Sequence, residues 1–301
     1  MIKGIEFSTD PSNFSVTYNS PSRKVKSLRD EFNVDAVTLS NQIGPAYISF
    51  STGVDSQVMA RSFLDMKLDV EFVFLHVVGC NDLEFNRLSE CEKFFGIKVR
   101  VITLDVEAHK EQWLTDNNNN EIDSIAHYPF AYMCSQLDND IPIITQGSVE
   151  PAIVGLNKNK VAIYHDYYES MELRFKLMNK HRKVYDFPAS PESIASYYTD
   201  ENMQLFVSTI SYYNNGLKQD NEAIPYSQYY NLYAKSFVKG RHYKDDIIWY
   251  PKLTGAENFP PWLKKIGHKT TARVSVPYWD LVEFLTTETN TSKKYDDWIF
   301  K

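Results

Sequence analysis

The segment Ala46-Tyr47-Ile48-Ser49-Phe50-Ser51-Thr52-Gly53-Val54-Asp55-Ser56 decides the fold. Its first five residues are a short apolar run suited to a buried strand. Ser51 to Val54 is a turn of small residues, and Asp55 opens a pattern that places Val58, Met59, Phe63 and Leu64 on one side of a helix. Strand, small-residue turn and helix N-terminus in succession build an anion site, because consecutive backbone N–H groups point at the ligand and the helix dipole favours negative charge. Gly53 lets the backbone approach a phosphate, and the hydroxyls of Ser51, Thr52 and Ser56 can donate further hydrogen bonds. Asp55 suits such a loop either as a helix cap or as a ligand of Mg²⁺.

The same alternation continues on the C-terminal side. Val70–Val78 is a β-rich run, and a helical stretch from Asp82 to Phe95 is closed by Gly96, where a left-handed residue ends a helix. Lys98–Thr103 reads as the next strand, Phe130–Leu137 as a helix, Ile141–Thr145 and Lys183–Phe187 as two more strands. Ser190-Pro191-Glu192 then starts a helix, with Ser at the N-cap, Pro in the first turn and an acid beside the dipole. Strands alternating with helices predict an α/β, Rossmann-like fold: a parallel five-stranded sheet with flanking helices, and ligands beyond the carboxyl ends of its strands. Residues 1–45 are expected to form a small N-terminal element, a hairpin and a helix from Ser27 to Phe32. Residues 46–200 carry the alternating domain, and residues 201–301 form a mainly helical C-terminal extension, with helices near Gln228–Phe237 and Tyr278–Leu285. Asp116–Glu121, rich in Asn, reads as an exposed loop.

Composition narrows the function classes. The chain has 301 residues, 43% hydrophobic and 24% charged, an ordinary globular profile. A net charge of −7 gives no global basic field for nucleic acid or an anionic membrane. The N-terminal decapeptide lacks a signal-peptide apolar core, and the longest apolar stretch, Val70 to Gly79, falls far short of the roughly 20 residues of a membrane helix. A cytoplasmic location is therefore expected. Cys80, Cys91 and Cys134 are an odd number without a CxxC pair, so they read as small buried hydrophobes.

The pattern Ser51-Thr52-Gly53-Val54-Asp55-Ser56 resembles the PP-loop of the N-type ATP pyrophosphatases. Phe74–Val77, followed by Cys80–Glu84 and a helix ending Phe94–Ile97, looks like the second strand and helix of the PAPS reductase/ATP-sulfurylase small-subunit branch. Lys183–Ile194 looks like that branch's late strand and capped helix. The similarity spans roughly residues 45–200. It implies an enzyme that binds ATP with Mg²⁺ and releases pyrophosphate by attack at the α-phosphate. Ser51, Thr52, Gly53, Asp55 and Ser56 would hold the pyrophosphate, with Asp55 and Ser56 closest to the chemistry and Asp55 on the metal. Phe50, His76 and Val77 would border adenosine, and Thr145-Gln146-Gly147 would flank the ribose or α-phosphate.

The chain also departs from the family's pattern. Position 54 is Val where relatives often carry Lys; the candidates for a replacement charge are Arg182, Lys183, Lys252, Lys264, Lys265, Lys269 and Arg273. No cysteine follows Cys134, so the reductase chemistry of the Glu-Cys-Gly motif is absent, and Gln146–Pro151 stands in place of the sulfurylase motif. The leading expectation is an AMP-forming ligase or adenylyltransferase acting on a small-molecule acceptor oxygen, with a partner subunit or a second copy left open. The alternatives are a reductase-like or sulfurylase-like protein of sulfur metabolism, a nucleotide binder without catalysis, and an RNA-modifying enzyme using the basic segment Lys235–Lys244, which the net charge disfavours.

Overall fold

The computed structural model describes residues 3–8, 14–118, 127–146, 153–157, 160–166, 183–216, 235–248, 259–264 and 273–297. Near the N-terminus, β1 (Ile5–Phe7) and β2 (Val16–Asn19) form an antiparallel hairpin, and α1 covers Leu28–Ile43. The alternating part follows: β3 (Ala46–Ser49), α2 (Val54–Asp65), β4 (Val70–Val77), α3 (Asp82–Phe95), β5 (Val99–Leu104), α4 (Lys110–Asn118), α5 (His127–Ser135) and β6 (Ile143–Gln146). After β7 (Ile153–Asn157) and β8 (Lys160–Asp166) come β9 (Val184–Phe187), α6 (Pro191–Tyr198) and α7 (Glu201–Gly216). The C-terminal third contributes α8 (Lys235–Tyr243), α9 (Pro261–Lys264), β10 (Arg273–Pro277), α10 (Tyr278–Leu285) and β11 (Ser292–Tyr295).

Five parallel strands form the central sheet in the order β5-β4-β3-β6-β9. Chain order runs outward from β3 through β4 to β5, then returns to the other side of β3 with β6 and β9. The strand order therefore reverses at β3, which is where open α/β sheets leave a crevice beyond their carboxyl ends. The fold is thus the Rossmann-like α/β class that the strand–helix alternation predicts.

Side chains alternate strictly between the two faces of this sheet. Ile48, Phe50, Phe72 and Phe74 are buried on one face in a core with Val58, Met59 and Phe63 of α2 and Leu88, Cys91 and Phe95 of α3. Tyr47, Val73, Ile102 and Ile143 face the other way, against Met133 and Cys134 of α5 and the following Leu137. A third cluster sits past the ends of β4 and β5, where Val77, Leu104 and Val106 meet Trp113, Tyr128 and Leu263 of α9. Cys80, Cys91 and Cys134 are all buried free thiols.

Helix α1 extends eleven residues beyond the expected end at Phe32. Its buried stripe, Leu28, Phe32, Ala36 and Leu39, has helical spacing, but the same face also buries Glu31 and Asp35, which blurs the apolar period. Both acids are satisfied. Glu31 takes a two-pronged contact from Arg23 at 2.7 and 2.6 Å and a backbone N–H from Lys26. Asp35 accepts the N–H groups of Ala189 and Ser190, and burial raises its carboxyl above the usual range despite those donors. Ser190 caps α6 as expected, accepting the Ser193 N–H at 3.1 Å.

Two smaller antiparallel sheets complete the fold; of these the sequence showed only the expected N-terminal hairpin, β1–β2. One has the order β1-β2-β11 and the other β10-β8-β7, so the C-terminal extension supplies strands as well as helices. Helix α5 begins at His127 rather than Phe130, and residues 228–234 of an expected helix lie outside the described residues.

The hairpin docks onto the start of α6 through a close backbone approach. Gly4 N–H donates to Ala189 O at 2.6 Å, and a Cβ on Gly4 would lie 2.6 Å from Ser190 O and 2.4 Å from Ile194 Cγ1. The neighbour at 2.6 Å is backbone and cannot step aside alone. Gly4→Ala is expected to lower unfolding stability by about 1–3 kcal/mol, the usual cost of overpacking, read from the urea midpoint.

Candidate functional site

The loop Ser51–Ser56 lies at the carboxyl end of β3, at the strand-order reversal. Its walls are unequal in height. Ser49, the last residue of β3, is level with Val73 of β4, so β4 runs four residues further, to Val77. At about 3.3 Å per residue, that raises His76 and Val77 some 10–13 Å past the end of β3. On the other flank Ile48 is level with Ile144, and β6 ends two residues later at Gln146. The strand ends carrying His76–Val77 and Thr145–Gln146 therefore stand on opposite sides of the loop. Gly147 lies outside the described residues.

Within the loop, Ser56 is the internal brace. Its Oγ accepts the Ser51 N–H at 3.1 Å and the Ser51 hydroxyl at 3.2 Å, and donates to Gly53 O at 2.9 Å. Thr52 is buried and has φ of 59°, a left-handed conformation that strains a β-branched residue by roughly 1–3 kcal/mol. Its carbonyl accepts Gln57 Nε2 at 2.7 Å. Gln57 is itself wholly buried and clasps a distant backbone, donating to Ile248 O at 3.0 Å and accepting the Ile248 N–H at 2.7 Å. The strained turn is thus held from behind by a segment of the C-terminal extension.

Gly53, the N-cap of α2, needs no glycine for the sake of the protein. Its φ is −68°, open to any residue, and an added Cβ would meet only Ser51 Oγ at 3.5 Å, an ordinary contact. No side chain caps the N-terminus of α2, as none caps α3 or α10, whereas Ser27 caps α1 and Ser190 caps α6. The first-turn N–H groups of a helix have no partner within it, and at α2 the space in front of them is bordered by glycine.

Asp55, in the first turn of α2, is about one-third exposed (32%) and forms an ion pair with Lys239 of α8, whose side chain is wholly buried. Sequence reasoning missed Lys239, placing it instead in a basic segment suited to RNA. Lys239 and Tyr243 are both buried, which removes two members of that segment from any nucleic-acid surface. The only advance signal was the apolar company around it, Val238 and Tyr243, which resembles a packed helix face more than a solvated one. Among the candidate replacement cations, Lys183 is exposed. Arg182, Lys252, Lys265 and Lys269 lie outside the described residues, as do the side chains of Lys264 and Arg273.

The remaining site residues divide between core and rim. The Phe50 ring is buried between Phe72 and Phe95, edge-on to each, so only its backbone borders the loop. His76 Nε2 is 2.7 Å from Asp82 Oδ1, and the imidazole stacks on Phe85 with centroids 4.0 Å apart. The histidine contact, aided by the Gly79 N–H, holds the Asp82 carboxyl below its usual range. Val77 is buried, and its N–H is committed to Asn81 Oδ1 at 2.7 Å. Val78, Leu83 and Phe85 expose apolar surface around this rim. Thr145 is buried at the end of β6, beside the backbone of Gln146.

Among the described residues no three His, Cys, Asp or Glu side chains converge on a metal site. The site does fit a Mg²⁺ that arrives with a nucleotide, because such an ion is held by phosphate oxygens and needs only one or two protein carboxylates, here Asp55. Among the described residues no helix is long and apolar enough to cross a membrane.

No protein-family model matches the chain, and no curated protein matches it in sequence. Among solved structures, the chain is similar to NMN synthetase from Francisella tularensis at 14% identity, with 75% of this chain and 97% of that chain covered and a TM-score of 0.32. At that level the likeness bears on neither ligand nor reaction.

Proposed function

We propose that the chain is an AMP-forming ATP-dependent enzyme: the loop Ser51–Ser56 binds Mg·ATP, and an acceptor oxygen is adenylated with release of pyrophosphate. The observation that carries this reading is Gly53, a glycine with no conformational or packing reason of its own, at an uncapped helix N-terminus where the strand order reverses. A side chain missing there matters to whatever approaches from outside. The PP-loop resemblance of Ser51–Ser56 identifies that visitor as a polyphosphate.

In this reading, the N–H groups at the start of α2 and the hydroxyls of Ser51 and Thr52 cradle the β,γ-phosphates, while Ser56 keeps the loop in its bound shape. Asp55 holds Mg²⁺, which supplies charge neutralisation on the phosphates when bound. The ends of β4, with His76 and Val77, and of β6, with Gln146 and Gly147, border the adenosine and the α-phosphate. The acceptor oxygen forms a bond to the α-phosphorus, the bond from that phosphorus to the α,β-bridging oxygen breaks, and pyrophosphate carries the electron pair away. The chain contributes positioning and preorganised charge rather than a covalent nucleophile.

The test is chromatographic analysis of α-labelled ATP incubated with the protein, Mg²⁺ and a pool of carboxylate, amide and other oxygen acceptors. Label is expected as AMP or an adenylate, and Asp55→Ala should reduce that product by at least about 100-fold. Label recovered only as ADP would overturn the reading, as would a fully active Asp55→Ala protein. Tight ATP binding without turnover across the pool would instead favour a nucleotide binder.

A further inference from the structure

The Lys239–Asp55 contact is an expensive way to hold a helix against a loop. Burying an ammonium costs several kcal/mol that ion pairing seldom recovers in full, and an apolar side chain of the same volume is often at least as stabilising. Packing therefore gives no reason for a lysine at this position. Its carboxylate partner is the more solvent-accessible of the two, 32% exposed against 0% for Lys239. Lys239 and the positive end of the α2 dipole both lie against the Asp55 carboxylate.

Helix α8 cannot carry the lysine away easily. His242 contacts Asp200 at 2.8 Å, Tyr243 is buried with Arg29 over its ring at 5.4 Å, and Ile248 is clasped by Gln57. Helix α8 is thus anchored just C-terminal to Lys239, whose ammonium pairs with Asp55 in the first turn of α2.

We infer that Lys239 is the phosphate-binding cation of the loop, masked by Asp55 until a Mg-bound polyphosphate draws that carboxylate to the metal and takes the ammonium as its own partner. This rests on the nucleotide reading above and adds to it the residue that neutralises the pyrophosphate end. It also makes the C-terminal extension part of the binding site, since the loop without α8 lacks this charge.

Isothermal titration of the full chain with Mg·ATP, Mg·pyrophosphate and AMP separates the possibilities. Lys239→Met is expected to weaken ATP and pyrophosphate by about 10- to 100-fold, the value of one charge-assisted hydrogen bond, and to leave AMP within about twofold. A merely structural role would lower ATP and AMP together, and that result, or unchanged ATP affinity, overturns the inference. Should Lys239→Met fail to fold, Asp55→Asn decides. With the carboxylate neutralised, metal-free pyrophosphate in EDTA should bind about tenfold tighter than to wild type. Unchanged or weaker binding overturns the inference. A wild-type chain that binds none of these ligands would overturn the nucleotide reading, and this inference with it, whereas wild-type binding with an indifferent Lys239→Met overturns the inference alone.

Discussion

Gly53→Ala is expected to unfold at the wild-type temperature while its turnover of Mg·ATP falls by at least about 100-fold. The two halves of that result have separate physical origins. The backbone at Gly53 has φ of −68°, which alanine adopts freely, and the new methyl would touch only Ser51 Oγ at 3.5 Å. Nothing in the folded chain resists it, and the loss of a flexible glycine slightly favours folding. The methyl would instead project beside the first-turn N–H groups of α2, where the proposed function brings a phosphate oxygen within hydrogen-bond range. A displacement of about 1 Å in a reacting group can cost 100-fold in rate. Parallel measurement of the thermal midpoint and of AMP release checks both halves. An active, stable Gly53→Ala enzyme would show that no ligand approaches this residue, and the loop would lose its proposed role.

The second large effect is on stability. Gln57→Ala should cost about 3 kcal/mol or more, because it strands three backbone groups at once. Thr52 O and Ile248 O lose their donor and Ile248 N–H loses its acceptor, each at about 1–3 kcal/mol where water cannot replace the partner. The change also removes the clamp that holds Thr52 at its strained φ of 59°. Hydrogen exchange should therefore show faster opening in residues 51–56 and 243–248, well before the central strands respond. Protection lost evenly over the whole chain would mean that Gln57 serves the general core and no particular joint. Gln57→Glu should be at least as damaging: it keeps the acceptor for Ile248 N–H but sets a buried carboxylate oxygen against the carbonyls of Thr52 and Ile248.

Much of the central architecture was readable from local pattern. The five parallel strands fall within two residues of their expected positions, and α3 and α10 match their expected bounds. These elements announce themselves over short range, through apolar runs, a closing glycine at Gly96 and the Ser190-Pro191 helix start. The turn between β3 and α2 was readable for the same reason, since its residues are consecutive. Legibility failed where burial contradicted residue type. Helix α1 looked short because Glu31 and Asp35 lie on its buried face, and each is made tolerable by donors from elsewhere, Arg23 and Lys26 for one and Ala189 and Ser190 for the other. Strands β7, β8 and β10 were missed because an antiparallel pair is specified by partners, and β8 finds one of its partners in β10, more than a hundred residues away.

By itself, then, the sequence determined the strand–helix alternation, the class of sheet and the position of the small-residue turn after the first central strand. Those properties depend on period, propensity and capping, which act over a few residues. Only the tertiary structure decided what completes that loop. Lys239 meets Asp55 across 184 residues, and Gln57 meets Ile248 across 191. A lysine in a basic segment looks solvated until the fold removes its water and sets a carboxylate against it. That outcome depends on which surfaces pack together, which no local spacing encodes.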